Sequence, residues 1–334
     1  MECACYILAR LLYYRPISPV RANSTVNAMR LPSPFPFPQQ RSYGSGQRSI
    51  FGRGDSRGGA GSALKVRLIL ALVIVAFAVI SYYGKPGDLN EVTGETERVA
   101  LTEEADEIQL GLQAAPEMVD MHGGPARDRA DQQVLQTIGS RLLDALDQDL
   151  KAKGRHNPYR EAFSFTLLAD PQTVNAFALP GGPVFITQAL FDKLTTEGQK
   201  AGVLGHEIGH VLSRHGNKQL ARQGLFQGIA GAVGVLGGDV NSARMGQMIS
   251  SVLSTSYGRD AELESDKWGV RLQAMAGYDP RSMIEVMKVL DEAGGGGGPP
   301  EFLSTHPKPK NRVEYIEKVI AEEFPDGVPE GLRP

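Results

Sequence analysis

The chain has 334 residues, enough for two average domains or one with appendages, and 35 Lys and Arg against 38 Asp and Glu leave a formal net charge of −3. That balance excludes the strongly basic profile of a nucleic-acid binder, and no nucleic-acid partner is expected. Both cysteines, Cys3 and Cys5, lie at the extreme N-terminus, so the remainder can hold no disulfide and no cysteine-ligated metal.

Residues 1–62 are rich in Pro, Gly, Ser and Arg, with Glu2 and Asp55 as the acids. Such a segment buries too little apolar surface to offset its ordering entropy, and it is expected to be disordered. A start at Met29 fits the change in character after residue 28, and an organelle transit peptide is the rival reading of the basic stretch. Residues 68–83 then carry no charge and end in Tyr82-Tyr83. Extended back to residue 63, with Lys65 and Arg67 snorkelling, the run is long enough for a thin bilayer. A single-pass signal anchor is expected over residues 63–83, with the lipid bilayer as its partner. The basic flank should stay cytoplasmic, placing the following residues on the extracytoplasmic, periplasmic side, or across an organelle inner membrane in the alternative. Residues 84–120 are acid-rich, with Asp88, Glu91, Glu95, Glu97, Glu103, Glu104, Asp106 and Glu107 against Arg98, and read as an acidic spacer.

A compact domain is expected over residues 121–325, with a C-terminal tail over 326–334. Val134, Leu135, Ile138, Leu142, Leu143 and Leu146 recur at helical spacing and predict a helix over 131–153. Strands are predicted over 163–168, 174–178 and 184–187, with a Pro-Gly-Gly turn before the last. A helix over 197–215 follows, then a Gly- and Ala-rich apolar stretch, 225–238, expected as a helix packed close to the active site; peripheral membrane contact is the alternative. Another helix is predicted over 256–276, a flexible glycine loop over 294–298 and a last helix over 312–323. The pattern is α+β and mostly helical with a small β-sheet, preceded by one transmembrane helix, and no internal repeat is visible.

The chemistry sits in the third helix. His206-Glu207-Ile208-Gly209-His210 is an HExxH motif, and at about 100° per residue its two histidines lie nearly on one line of the helix, where both can grip one zinc ion. Glu207 is placed to handle the proton of the attacking water. Such a site needs a third protein ligand, for which His215, Glu262 and His306 are candidates. On a continued helix His215 falls about 180° from His206, so it reads as a surface histidine or one lying behind the ligands. Glu262 and Asp266 share one helical face while Glu264 points roughly the other way. Glu262 can then be the carboxylate ligand, and Asp266 can accept the other ring N–H of a ligand histidine.

HEIGHVLSRH at 206–215, ELESD at 262–266 and STHPKPKNR at 304–312 together resemble the family of membrane-associated zinc endopeptidases that includes the CAAX prenyl protease, HtpX, BepA and the mitochondrial Oma proteases. The resemblance implies a zincin-like metallopeptidase domain of gluzincin type with one Zn2+ per chain. It implies His206, His210 and Glu262 as ligands, Glu207 as base and Asp266 as the residue closing the motif. It also implies an edge strand at Asn175, Ala176 and Phe177 for an extended peptide substrate. His306 resembles the late His-Pro motif, either as a donor to the oxyanion or as the occupant of the open metal position at rest, with Arg312 as support for the oxyanion or the loop. Ser265 stands where alanine is usual in that family. The expected function is cleavage of misfolded or membrane-proximal proteins. The alternative is a latent or non-catalytic zinc-fold scaffold gated by the His306 loop.

Overall fold

The computed structural model describes residues 59–84, 86–237, 257–294, 300–307 and 311–334. The basic segment up to residue 58 and the glycine run 295–298 lie outside the described residues. The first helix, α1 (Gly59–Tyr83), takes in residues 59–62, which composition had assigned to the disordered segment. Its 25 residues span roughly 37 Å. Leu64, Leu68, Ile69, Leu72, Phe77 and Ile80 on it are exposed. Among the described residues it is the one helix long and apolar enough to cross a membrane.

The stretch expected as an acidic spacer is folded onto the domain instead. Strands β1 (Asp88–Leu89) and β2 (Thr96–Glu97) form an antiparallel hairpin, and α2 (Glu104–Met121) follows. Val92, Val99, Glu97 and Glu107 are buried. The physical reason is that these acids are counter-ions: Glu107 and Asp88 hold the buried Arg214 guanidinium, and Glu97 pairs with Lys218 at 2.7 Å. The tail over 326–334 is likewise tied down, with Arg333 N–H donating to Gly277 O and Gly198 N–H donating to Pro334 O.

Helix α3 (Arg129–Ala152) is capped by Asp128, which accepts from the Ala130 and Asp131 amides. It buries Leu135, Ile138, Leu142, Leu143, Leu146 and Leu150 along one stripe. That stripe packs on a three-stranded sheet ordered β3 (Ser164–Leu168), β5 (Pro183–Thr187), β4 (Ala176–Ala178). β3 and β5 run parallel, with Leu167 opposite Ile186, while β4 pairs antiparallel to β5, with Phe177 opposite Phe185. β5, at the centre, is buried throughout, so β4 is left as an edge. After the short α4 (Gln188–Phe191), helix α5 (Glu197–Leu212) opens on a capping box, Thr196 accepting from the Gln199 amide while Gln199 reaches back.

Helix α5 is the axis of the domain: every residue from Gly198 to Leu212 on it is buried except Lys200. Helices α6 (His215–Gly237), α7 (Arg259–Met275) and α8 (Ser282–Ala293) pack against it, and the short α9 (Glu301–Thr305) and α10 (Arg312–Glu323) complete the fold. Of the Gly- and Ala-rich stretch expected beside the active site, residues 225–237 are the second part of α6, and α6 lies along α1; residue 238 lies outside the described residues. Glycine lets α7 approach α5 backbone to backbone. A Cβ on Gly209 would stand 2.7 Å from Trp268 Cβ and 3.1 Å from Ser265 Cα. Gly209→Ala gains ~1 kcal/mol of intrinsic helix propensity. We expect the overpacking cost of about 1–3 kcal/mol to win, seen as a lower urea midpoint.

Candidate metal centre

Helix α5 points His206 and His210 toward the face of α7 that carries Glu262, and His306 enters from the residue after α9. His206 Nε2 lies 3.1 Å from His210 Nε2 and 3.4 Å from His306 Nδ1. Glu262 Oε1 is 3.4 Å from His210 Nε2 and 3.1 Å from His306 Nδ1, and Glu262 Oε2 is 3.6 Å from His206 Nε2. All four side chains are buried, and one donor atom from each lies within 4.8 Å of the others. Four ligands about 2.0–2.2 Å from a tetrahedral zinc stand roughly 3.3–3.6 Å from one another, so this buried His-His-Glu-His group fits a metal. Two carboxylates agree with that: Glu262 Oε2 and both oxygens of Glu207 are buried and make no hydrogen bond.

Electrostatics prepare the donors. Burial pushes the His210 imidazole well below its ordinary value, leaving it neutral with a lone pair to give. Burial works against the Glu262 charge, yet His306, His210 and His206 hold its carboxyl well below the usual range. Burial raises the Glu207 carboxyl, opposed by the charges of His306, His206 and Arg312. His306 stays up because Glu262 and Glu207 outweigh its own desolvation. Behind the cluster, Asp266 Oδ1 accepts from His206 Nδ1 at 2.9 Å, which turns His206 Nε2 inward.

Family membership follows from the extent of the sequence match, which runs over residues 130–320 with peptidase family M48. The chain belongs to peptidase family M48. The resemblance carried by the three motifs is thereby borne out, and the domain is that of a metallopeptidase. The chain is 32% identical over 192 residues to the Beta-barrel assembly-enhancing protease of Yersinia pestis, covering 54% of this chain and 37% of that one. It is 29% identical over 213 residues to the Mitochondrial metalloendopeptidase OMA1 of Arabidopsis thaliana, covering 63% and 41%. The Bos taurus Metalloendopeptidase OMA1, mitochondrial, is 31% identical over 167 residues, covering 46% and 32%. The matched region thus spans about two fifths or less of the length of these relatives.

Arg312 donates through Nε and Nη2 to Asp266 at 2.7 Å each, on the Nδ1 side of His206, while its Nη1 lies 3.4 Å from Glu262 Oε2. One local expectation about the M48 site needs correcting. The helix expected to run to residue 215 stops at Leu212, because Arg214 takes a positive φ of 50° and α6 begins anew at His215. His215 is the histidine behind the ligands, the second of its two readings: its Nδ1 is 2.9 Å from His210 Nδ1, and its Nε2 is 3.1 Å from Glu264 Oε2. Glu264 stays outside the cluster, as its helical position implied, and its carboxylate meets His215 instead.

The expected edge strand stands beside α5. Phe177 is half-buried and stacks on Phe185 at 5.1 Å, and the Asn175 amide donates to Glu301 at 3.1 Å. Two residues were given no role by the sequence. Tyr257 stacks on the His210 ring at 4.1 Å, with its amide donating to Thr305 O, but it lies outside every motif. Arg214, 1% exposed, donates to Glu107 at 2.9 Å and to Leu101 O at 2.7 Å; it stands within the 206–215 motif, where nothing local points to those partners.

Glu264 gives a pH signature. Burial opposes its charge, but the His215 hydrogen bond and charge, with Ser213 and Lys218, draw its carboxyl from 4.5 down to about 2. A lowered carboxyl adds stability above its ordinary value and loses it as pH falls toward the folded value. With a chelator present throughout, the parent should lose unfolding free energy more steeply than Glu264→Gln between pH 4.5 and about 2. Parallel urea-denaturation curves over that window would remove Glu264 as a stabilising ion.

Proposed function

We propose that this chain is a membrane-anchored, zinc-dependent endopeptidase that cleaves misfolded or membrane-proximal proteins. The observation that carries the reading is the Glu207 carboxylate, buried with neither oxygen hydrogen-bonded, beside a His-His-Glu-His cluster of metal-fitting spacing. His206, His210 and Glu262 would hold one Zn2+ per chain, with Asp266 and Arg312 behind His206. The ion, when bound, supplies Lewis-acid polarisation of the carbonyl and acidifies water.

The chain's own residues do the rest. Glu207 accepts the proton of the attacking water and returns it to the leaving amine. The β4 edge at Asn175, Ala176 and Phe177 offers main-chain pairing to an extended substrate. The apolar face of α1, with Lys65 and Arg67 near its start, supports an anchor whose basic side stays cytoplasmic and whose peptidase domain lies across the membrane. The periplasm is the first choice of compartment, and an organelle inner membrane the second, in line with the mitochondrial relatives. Substrates near a membrane agree with the names of the β-barrel assembly-enhancing relatives.

A second reading, a latent resting state, is favoured by His306. Its Nδ1 sits within 3.1–3.4 Å of Glu262 and His206, in the place a substrate carbonyl or water would need. Its Nε2 lies 3.6 Å from Glu207 Oε1, close to the base as well.

The test is casein cleavage by the full chain in detergent, with zinc content measured for each protein. Cleavage by the parent and none by a zinc-loaded Glu207→Gln protein is the expected result, a loss of at least about 100-fold. A zinc-loaded parent without activity that gains it on His306→Ala would establish the latent state. Zinc in every protein with cleavage in none would leave a non-catalytic scaffold.

A further inference from the structure

A neutral imidazole carries one N–H and one lone pair, so a histidine that gives Nε2 to a metal must place its hydrogen on Nδ1 and find an acceptor there. His206 solves this directly through Asp266. His210 has no carboxylate beside its Nδ1; it has His215 Nδ1 at 2.9 Å. Two imidazole nitrogens can bond only if one is a donor and the other an acceptor, and the pair alone does not say which.

Glu264 breaks that symmetry. Its Oε2 lies 3.1 Å from His215 Nε2, and an ionised carboxylate only accepts. The His215 hydrogen therefore belongs on Nε2. His215 Nδ1 is left as an acceptor, His210 Nδ1–H donates to it, and the His210 Nε2 lone pair faces the cluster. The opposite order, His215 Nδ1–H donating to His210 Nδ1 across 2.9 Å, would set a His215 lone pair against a carboxylate at 3.1 Å and put the His210 hydrogen on Nε2, facing the cluster. Ser265 Oγ, 3.3 Å from His215 Nδ1, can rotate to suit either order and fixes neither.

The parts are held firmly. Glu264 Oε1 accepts from Ser213 Oγ at 2.6 Å, and Ser213 Oγ accepts from Trp268 Nε1 at 3.2 Å. Tyr257 stacks on the His210 ring with 27° between the planes. The positive φ at Arg214 swings His215 back onto α7, and Glu107 and Asp88 pin the Arg214 guanidinium.

We propose that His215 and Glu264 are positioning residues for His210: Glu264 decides which nitrogen of His215 carries its hydrogen, and His215 thereby directs the His210 lone pair to the metal. This rests on the zinc-site reading above. It makes α7 the source of three acids with separate tasks: Glu262 in the cluster, Asp266 behind His206, and Glu264 behind His210 through one relay.

The experiment compares zinc affinity, by competition with a chromophoric chelator, and the visible spectrum of the cobalt(II) form, using full-length protein in detergent. His215→Phe fills the space without an acceptor and should weaken zinc about 10–100-fold and alter the cobalt spectrum. His215→Gln restores an amide oxygen that can accept from His210 Nδ1–H, and it should recover most of the affinity. Parent affinity and spectrum in His215→Phe would overturn the proposal, as would equal losses in both variants. If His215→Phe fails to fold by circular dichroism, Glu264→Leu against Glu264→Gln reads the same relay: a loss confined to Glu264→Leu supports it, and parent affinity in both overturns it. A parent that takes up no zinc overturns the reading of the site itself, a result distinct from a zinc-binding parent matched by its His215→Phe variant.

Discussion

His206, Glu207, His210, Glu262, Asp266, His306 and Arg312 are each at most 2% exposed and crowd one part of the core. Burying an ion costs several kcal/mol unless another charge and good hydrogen bonds offset it. The rest of the structure can be understood as the arrangement that makes this crowd tolerable. Arg312 neutralises Asp266, Asp266 orients His206, and Glu262 faces three imidazoles. What remains without a hydrogen bond in this crowd is the pair of Glu207 oxygens, one oxygen of Glu262 and Nη1 of Arg312, which lies 3.4 Å from that Glu262 oxygen.

Such tight assembly needs two helices closer than ordinary side chains permit. Gly205 and Gly209 on α5 face Gly269 and Ser265 on α7, so the two backbones meet directly and the functional side chains on both helices converge. The glycine inside HExxH is therefore a packing residue as much as a spacer. The α3 stripe and the central strand β5 support α5 from the other side, which lets nearly all of that helix be buried.

The segment that follows α1 is part of the same electrostatic construction. Asp88 and Glu107 come from the region directly after α1, and both bind Arg214, the residue that ends the HExxH helix and redirects the chain. Asn90 adds a hydrogen bond from its amide to Leu212 O, the last residue of that helix.

Periodicity and spacing made a large share of this legible in the sequence. The α3 stripe, the apolar run of α1 and the shared faces of His206 with His210 and of Glu262 with Asp266 all follow from 3.6 residues per turn, a rule local to each helix. His306 was legible through its motif. Residues whose role depends on chain direction or on a distant partner were not. Arg214 breaks the helix at a positive φ that its identity does not announce, so the path that brings His215 onto His210 Nδ1, with Glu264 as its acceptor, could not be read from a continued helix. The acids at 88 and 107 looked like a solvating spacer because their counter-ion lies more than 100 residues away, and Tyr257 found His210 only by packing. The sequence by itself determined which side chains can bind a metal and carry a proton. Tertiary structure decided which of the surrounding polar groups orient them, because hydrogen-bond direction is set between elements and leaves no period in the chain.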